Sequence, residues 1–260
     1  MTEPRETIVS TPQGPMRVWR KGKGKRLGVL PGFGGQPRWT PFLDALAETR
    51  QVVVPSLPGF PGGPTSDGLD THLDWIVATR DALIAADLVG ADLVGASVGG
   101  ALAAEAASLW PGDVKTLALI APFGMFDEAE PIVDVFAQPP GAMSAILSNK
   151  PKDFDAFLAA PAGANRGDWD IHALRARVAA ASIVWPLGDT GLLRRITRLS
   201  APTLLIWGDG DKVIPAAYAR RLGKAIAGKS KIKSIRNAGH VAEFDQPRTT
   251  ATAILSFMNA

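Results

Sequence analysis

Apolar and polar residues alternate along "ETIVST" and "MRVWR", and Pro12 and Gly14 lie between the two runs. That short, β-branched pattern predicts an antiparallel pair of strands. "RLGVLPG" is apolar with little interruption and predicts a buried strand ending in a glycine loop. Beyond it the pattern switches between two periods. A helix is expected from about Trp39 to Glu48, the strand "QVVVPS" next, and a second helix from about Leu69 to Ala86. Leu69, Leu73, Ile76, Val77, Leu83 and Ile84 recur near the 3.6-residue period and are expected to form that helix's buried face. "ADLVGA", "VGGALAAEAASLW" and "VKTLALIAPF" continue the series as strand, helix and strand.

The alternation lapses from about Gly124 to Arg198, where prolines stand at 131, 139, 140, 151, 161 and 186 among scattered aromatics. It resumes with the strand "APTLLIWG", a helix from Pro215 to Ala227, the strand "KIKSIR" and a last helix from Val241 to Met258. Pro215 suits the first helical position, where a missing N–H costs nothing. Strands alternating with helices imply an α/β fold, with a mostly parallel sheet of about eight strands covered on both faces. The irregular block falls between two strands of one series. The expectation is therefore a core of residues 1–123 and 199–260 carrying an inserted helical cap at 124–198.

Composition narrows the chemistry. The 260 residues suffice for one large domain with a sizeable core. Cysteine is absent, which removes disulfides, thiolate catalysis and cysteine-ligated metals together. "MTEPRETIVS" does not read as a signal peptide and no run is long enough to span a bilayer, so a cytoplasmic protein without membrane insertion is expected. The formal charge is +3. Its basic clusters, "RKGKGKR" and "KSKIKSIR", lack interleaved aromatics and read as solvated surface rather than a nucleic-acid site. The first looks like a glycine-loosened hairpin loop.

Ser97, in "LVGASVGG", stands where a strand is expected to end and a helix to begin, with Gly95 and Gly99 two residues to either side. Small residues at those positions allow a sharp strand-to-helix turn that exposes a hydroxyl and aims a helix N-terminus at a reacting carbonyl. Such a serine needs a base, and there are three histidines. His72 reads as a surface or helix-end residue, and His172 sits in the cap on an amphipathic fragment. His240 follows the last strand, at the sheet edge where open α/β sheets bind ligands. Asp209 and Asp211 both follow the preceding strand and could orient that imidazole, with Asp127 a lesser rival.

The order Ser97, Asp211, His240 with its G-x-S-x-G elbow resembles the α/β-hydrolase fold family. "WGDGDKVIP" is similar to the family's acid loop, which selects Asp211, and "GHVAEFDQP" to its histidine loop, with Asp245 and Pro247 in register. "PSLPGFPGG" resembles its proline-glycine loop. The resemblance implies a serine hydrolase that cleaves an ester-like bond through an acyl-enzyme, with no metal or organic cofactor and a small molecule as partner. It also implies an oxyanion hole from the backbone N–H groups of Phe33 and Val98. The oxyanion loop departs from the family's His-Gly, since "LPGFGG" has Pro31 there.

Dehalogenases and epoxide hydrolases of similar fold need an aspartate at the elbow, and Ser97 excludes them. Carbon–carbon bond hydrolases of ring-cleavage products use a serine triad and remain an alternative. They carry Asn before the serine and Trp after the histidine, where this chain has Ala96 and Val241. A non-catalytic receptor on the same fold is the other alternative. Phe126, Phe136, Met143, Phe154, Phe157, Trp169 and Trp185 are candidate pocket residues and favour an apolar group. Arg166, Arg175 and Arg177 read as exposed helix arginines before carboxylate binders. Substrate chain length and oligomeric state are not legible in the sequence.

Overall fold

In the computed structural model, which describes residues 3–139, 141–161, 163–185 and 190–260, eight strands form one sheet. They are β1 (Arg5–Thr11), β2 (Gly14–Lys21), β3 (Arg26–Leu30), β4 (Gln51–Pro55), β5 (Ala91–Ala96), β6 (Val114–Ile120), β7 (Thr203–Gly208) and β8 (Ser230–Ile235). Their spatial order is β1-β2-β4-β3-β5-β6-β7-β8. The first two strands pair antiparallel from Arg5 opposite Arg20 to Thr11 opposite Gly14, and β2 is antiparallel to β4. Every pair from β4–β3 to β7–β8 is parallel. The prolines at 140 and 186 lie outside the described residues.

The basic segment after β2 is not a hairpin loop. Strand β4 lies between β2 and β3, so "RKGKGKR" contains a crossover. Gly22 turns there at φ +84°, and a Cβ on it would stand 2.1 Å from the Arg50 carbonyl oxygen. Only glycine fits.

Two apolar layers cover the sheet. On one face, Phe42, Leu43 and Leu46 of α1 (Pro41–Ala47) pack with Ala251, Ile254 and Met258 of α10 (Pro247–Met258). On the other lie α2 (His72–Ala85) and α3 (Ser97–Leu109), joined by Tyr218, Ala219 and Leu222 of α8 (Ala217–Ala225). Thr71 caps α2 in a reciprocal box with Asp74, which sets its start at His72, three residues beyond the patterned Leu69. The buried face of α2 is Trp75, Ile76, Ala78, Thr79, Ala82 and Leu83, whereas Leu73, Val77 and Ile84 are 58%, 41% and 49% exposed. Close approach to the alanine-rich α3 favours small side chains, and Thr79 is admitted because its hydroxyl donates to the Trp75 carbonyl. Hydrophobicity alone therefore pointed partly to the wrong face.

The last helix is broken in two. Gln246, the residue before Pro247, takes φ −133° and ψ 63°, separating the turn α9 (Ala242–Asp245) from α10. Pro215 likewise precedes α8 instead of opening it, its carbonyl accepting the Tyr218 N–H at 3.0 Å.

Between β6 and β7 the described residues contain helices and no strand: α4 (Met143–Leu147), α5 (Pro151–Leu158), α6 (Arg166–Val184) and α7 (Leu192–Arg195). Asn165 caps α6 by accepting the Asp168 N–H. Among the described residues, no helix is long and apolar enough to cross a membrane.

Candidate active site

Ser97 is the first residue of α3, directly after β5, and its φ is +53°. A side chain rarely adopts that conformation, and the surrounding glycines show what holds it. A Cβ at Gly95 would meet the Gly100 Cα at 2.7 Å and the Ala103 Cβ at 2.8 Å. One at Gly99 would stand 2.3 Å from the Pro31 carbonyl oxygen and 2.5 Å from that of Leu30. The two glycines let α3 fold back tightly on β5 and on the loop after β3.

The Ser97 Oγ lies 2.8 Å from His240 Nε2, and His240 Nδ1 lies 3.0 Å from Asp211 Oδ2. The pattern assigns the proton: Nδ1–H donates to the carboxylate, leaving Nε2 to accept from the serine hydroxyl. Asp211 is held in turn by its other oxygen, which accepts the N–H groups of Val213 at 2.8 Å and Ile214 at 3.0 Å. The His240 and Asp211 side chains are 0% and 2% exposed, so the polar chain runs through a water-poor interior. Local sequence explains the loop placement. Gly208 closes β7 where a Cβ would collide with the Gly239 carbonyl, and this brings the two loops side by side.

The rival carboxylates stand elsewhere. Asp209 is exposed, and its backbone N–H bonds to the Ile235 carbonyl. Asp127 forms an ion pair with Arg221 and its N–H donates to the Tyr218 hydroxyl. Asp245 is buried but does not bond to the imidazole. Its carboxylate accepts the Gly239 and Asn149 N–H groups at 2.7 and 3.0 Å and the Ser148 hydroxyl at 2.5 Å. It ties the histidine loop to the end of α4.

The other two histidines do different work. His72 opens α2, and its Nε2 is 3.3 Å from Glu105, a fully buried carboxylate of α3 that also receives two hydrogen bonds from Arg195. Burial pushes the Glu105 carboxyl up, but the bonds from Arg195 and His72 outweigh it and hold the group below its ordinary value. His72 is thus a helix-end residue with a buried partner. His172 is an exposed residue of α6 at the wall of the main cavity.

That cavity, of about 480 Å³, lies between the helices that follow β6 and the loops after β3 and β4. Phe136, Met143, Phe154 and Trp169 line it, with Phe33, Gly34 and Leu158. Phe157 lines a smaller neighbouring chamber. Phe126 and Trp185 line neither, and Trp185 is 59% exposed. Trp185 follows the last turn of α6, past the point where the helix faces the cavity. Of the arginines, Arg177 lines the cavity and donates to the Phe136 carbonyl, while Arg166 and Arg175 are exposed. Phe33 stands between cavity and histidine, its ring 5.7 Å from that of Phe136 and 6.1 Å from that of His240. Ser97 itself is 2% exposed.

The loop after β3 borders Ser97 directly, since a Cβ on Gly32 would lie 3.1 Å from the Ser97 Cβ. Pro31 leaves this loop closed by a turn, with the Gly35 N–H on the Gly32 carbonyl at 2.9 Å. The Val98 N–H belongs to the first turn of α3, where backbone donors have no intrahelical acceptor. Among the described residues, no group of three or more His, Cys, Asp or Glu could hold a metal ion.

Reading from sequence missed one group here. Glu243, three residues after His240, has an Oε2 that is sealed from solvent and has no hydrogen-bond partner. Burial pushes its carboxyl up to about 7. Nothing in "GHVAEFDQP" distinguishes this acid from a solvated helix residue.

Residues 29–253 match the model of the alpha/beta hydrolase family, and the chain belongs to that family. It is an enzyme of the α/β-hydrolase class. It is 24% identical over 259 residues to monoacylglycerol lipase ABHD6 of Homo sapiens, covering 92% of this chain and 77% of that protein. The structure of 2-hydroxy-6-oxo-6-phenylhexa-2,4-dienoate hydrolase from Rhodococcus sp. strain RHA1 superposes with a TM-score of 0.78 at 16% identity, covering 99% of this chain and 100% of that one. Carboxylesterase CesB from Bacillus subtilis gives 0.71 at 18% identity, with coverage of 99% and 92%. At such identities the two structures attest a shared fold.

Proposed function

We propose that the protein is a serine hydrolase that cleaves an ester-like bond of a small, apolar substrate through an acyl-enzyme. The observation that carries this reading is the unbroken hydrogen-bonded chain from Ser97 through His240 to Asp211. In the first step His240 Nε2 takes the Ser97 proton as the oxygen attacks the ester carbonyl. Asp211 keeps Nδ1 protonated and stabilises the imidazolium. The backbone N–H groups of Phe33 and Val98 receive the tetrahedral oxyanion, a contribution worth on the order of 100- to 1000-fold in rate per donor. His240 then gives its proton to the departing alcohol oxygen as the C–O bond breaks. Water, deprotonated by His240, attacks the acyl-enzyme, and the collapse returns the proton to Ser97 and releases the acid.

The inserted helices act as a cap that forms the acyl-binding wall. Met143, Phe154, Leu158 and Trp169 make that wall apolar. Two guanidinium groups border the cavity, and both donate to backbone carbonyls. Arg17 donates to the Gln36 and Pro61 carbonyls, and Arg177 to that of Phe136. This favours an uncharged acyl group over the carboxylate-bearing products of ring cleavage. The relationship to a monoacylglycerol lipase supports an acyl ester as the substrate class.

Hydrolysis of p-nitrophenyl esters tests the reading. Ser97→Ala is expected to abolish turnover, and Asp211→Asn to lower kcat by about 10⁴-fold, because the wrong histidine tautomer is then favoured. Full activity in Asp211→Asn would contradict the assignment.

A further inference from the structure

The smaller chamber, about 70 Å³, holds a polar group that the acyl-enzyme chemistry above does not use. Ser97 and His240 do not line it themselves; its walls are their chain neighbours Ala96, Val241, Glu243 and Phe244, the loop from Gly32 to Gln36, and Val29, Phe42 and Val94 of the core beneath. It shares Phe33, Gly34, Leu147, Phe154 and Leu158 with the large cavity, so the two spaces adjoin across one set of side chains. Most of its lining is apolar. The other polar side chains there are engaged: Gln36 Nε2 donates to the Arg38 carbonyl at 2.5 Å, and Thr40 Oγ1 accepts the Leu43 N–H at 3.4 Å. Only the Glu243 Oε2, among the buried side-chain atoms of this lining, has no partner. An unpartnered polar atom in an apolar setting is costly to keep and calls for a partner.

On the serine-hydrolase reading above, we infer that this chamber is the subsite for the alcohol portion of the ester, and that Glu243 selects an alcohol carrying a free hydroxyl beside the ester oxygen. Three features carry the inference. The departing oxygen must reach His240 Nε2, and the chamber is walled by the residues that follow His240. Its volume admits about two waters' worth of atoms, enough for a terminal CH₂OH and too little for an acyl chain. A hydroxyl can donate to a carboxylate and accept from a carboxylic acid, so it suits Glu243 in either protonation state. The acid is poised between those states near neutrality, because burial raises it, its own backbone N–H and the His240 ring oppose that, and the neighbouring Asp245 and Asp211 charges raise it further. A cationic alcohol would pay to leave water for this lining with one half-ionised partner.

The test uses two esters of one acid that differ only in OH for CH₃, 2-hydroxyethyl hexanoate and propyl hexanoate. Wild type is expected to favour the hydroxyethyl ester about ten-fold or more in kcat/KM, mostly through KM, since the contact exists before the transition state. In Glu243→Leu that ratio is expected to fall at least ten-fold, and in Glu243→Gln to stay above the leucine value. As a control on folding, Glu243→Leu is expected to melt higher than wild type at pH 8, where the buried acid must otherwise ionise. Equal ratios in the three enzymes, or a wild-type preference for the propyl ester, would overturn the inference. Turnover of propyl hexanoate that depends on Ser97, with no hydroxyl preference, would sink the subsite alone. Inertness of both esters in wild type would remove the hydrolase reading and the subsite with it.

Discussion

Ser97 pays for its position in backbone strain. A non-glycine residue at φ +53° costs about 1–3 kcal/mol and persists only where its neighbours fix it. Gly95 and Gly99 are the fixing residues, and the overlap at Gly99 involves backbone atoms that cannot swing aside. Gly99→Ala is therefore expected to destabilise the protein by about 1–3 kcal/mol. It should also lower kcat, because the atoms displaced belong to the loop that carries Phe33; calorimetry and ester kinetics would read both effects. The two aspartates of "WGDGDK" make a matched pair at the same scale. Asp209→Asn, at an exposed position, is expected to leave kcat within about two-fold of wild type, against the large loss proposed for Asp211→Asn. The turns that carry Ser97 and His240 were legible because tight turns demand glycines at fixed offsets, which a sequence displays, whereas Asp211 was separated from Asp209 only by the resemblance of its loop to the family's. Glu243 was not legible, because its isolation depends on side chains contributed by five separate segments.

At the scale of elements, the helix that Ser97 opens is braced by a buried carboxylate. Glu105 of α3 is wholly buried and receives Arg195 at 2.5 and 2.6 Å and His72 at 3.3 Å, linking α3 to α2 and to the last helix of the insertion. Removing one member of such a group leaves a partner uncompensated. Glu105→Gln is expected to cost about 3 kcal/mol, toward the lower end for buried pairs because the Arg195 side chain is 30% exposed. The sign with pH follows from the depressed carboxyl. Its stabilisation is complete above the ordinary glutamate value of about 4.3 and is lost as pH falls through the lower folded value. Thermal melts should show the gap between wild type and Glu105→Gln closing as the solution is acidified below about pH 4. The same elements show where pattern reading loses its hold. Periodicity found α2 but assigned Leu73 and Val77 to its buried side, since contact with an alanine-rich neighbour is governed by side-chain size as much as by polarity. It also ran α9 and α10 together, although Pro247 supplied the signal for a break.

Across the whole molecule, the parallel strands from β3 to β8 deliver three loops to one edge of the sheet. The chain after β5 supplies Ser97, that after β7 supplies Asp211, and that after β8 supplies His240. Residues 114 positions apart, Ser97 and Asp211, thus meet through a single imidazole. The α/β class and the strand count could be read from alternating periods, because each buried parallel strand is a short apolar run. The crossover that seats β4 between β2 and β3 could not, since strand order is decided by packing between distant segments. Helices between β6 and β7 line the cavity, and Ser97 is almost inaccessible.

Labelling with a fluorophosphonate, read by intact mass, tests the central claim most directly, because the reagent reports an activated serine whatever the natural substrate is. One adduct on the wild-type protein and none on Ser97→Ala is the predicted result. A folded wild-type protein that takes no label, or an equal mass increase in Ser97→Ala, would contradict the assignment of Ser97 as the nucleophile.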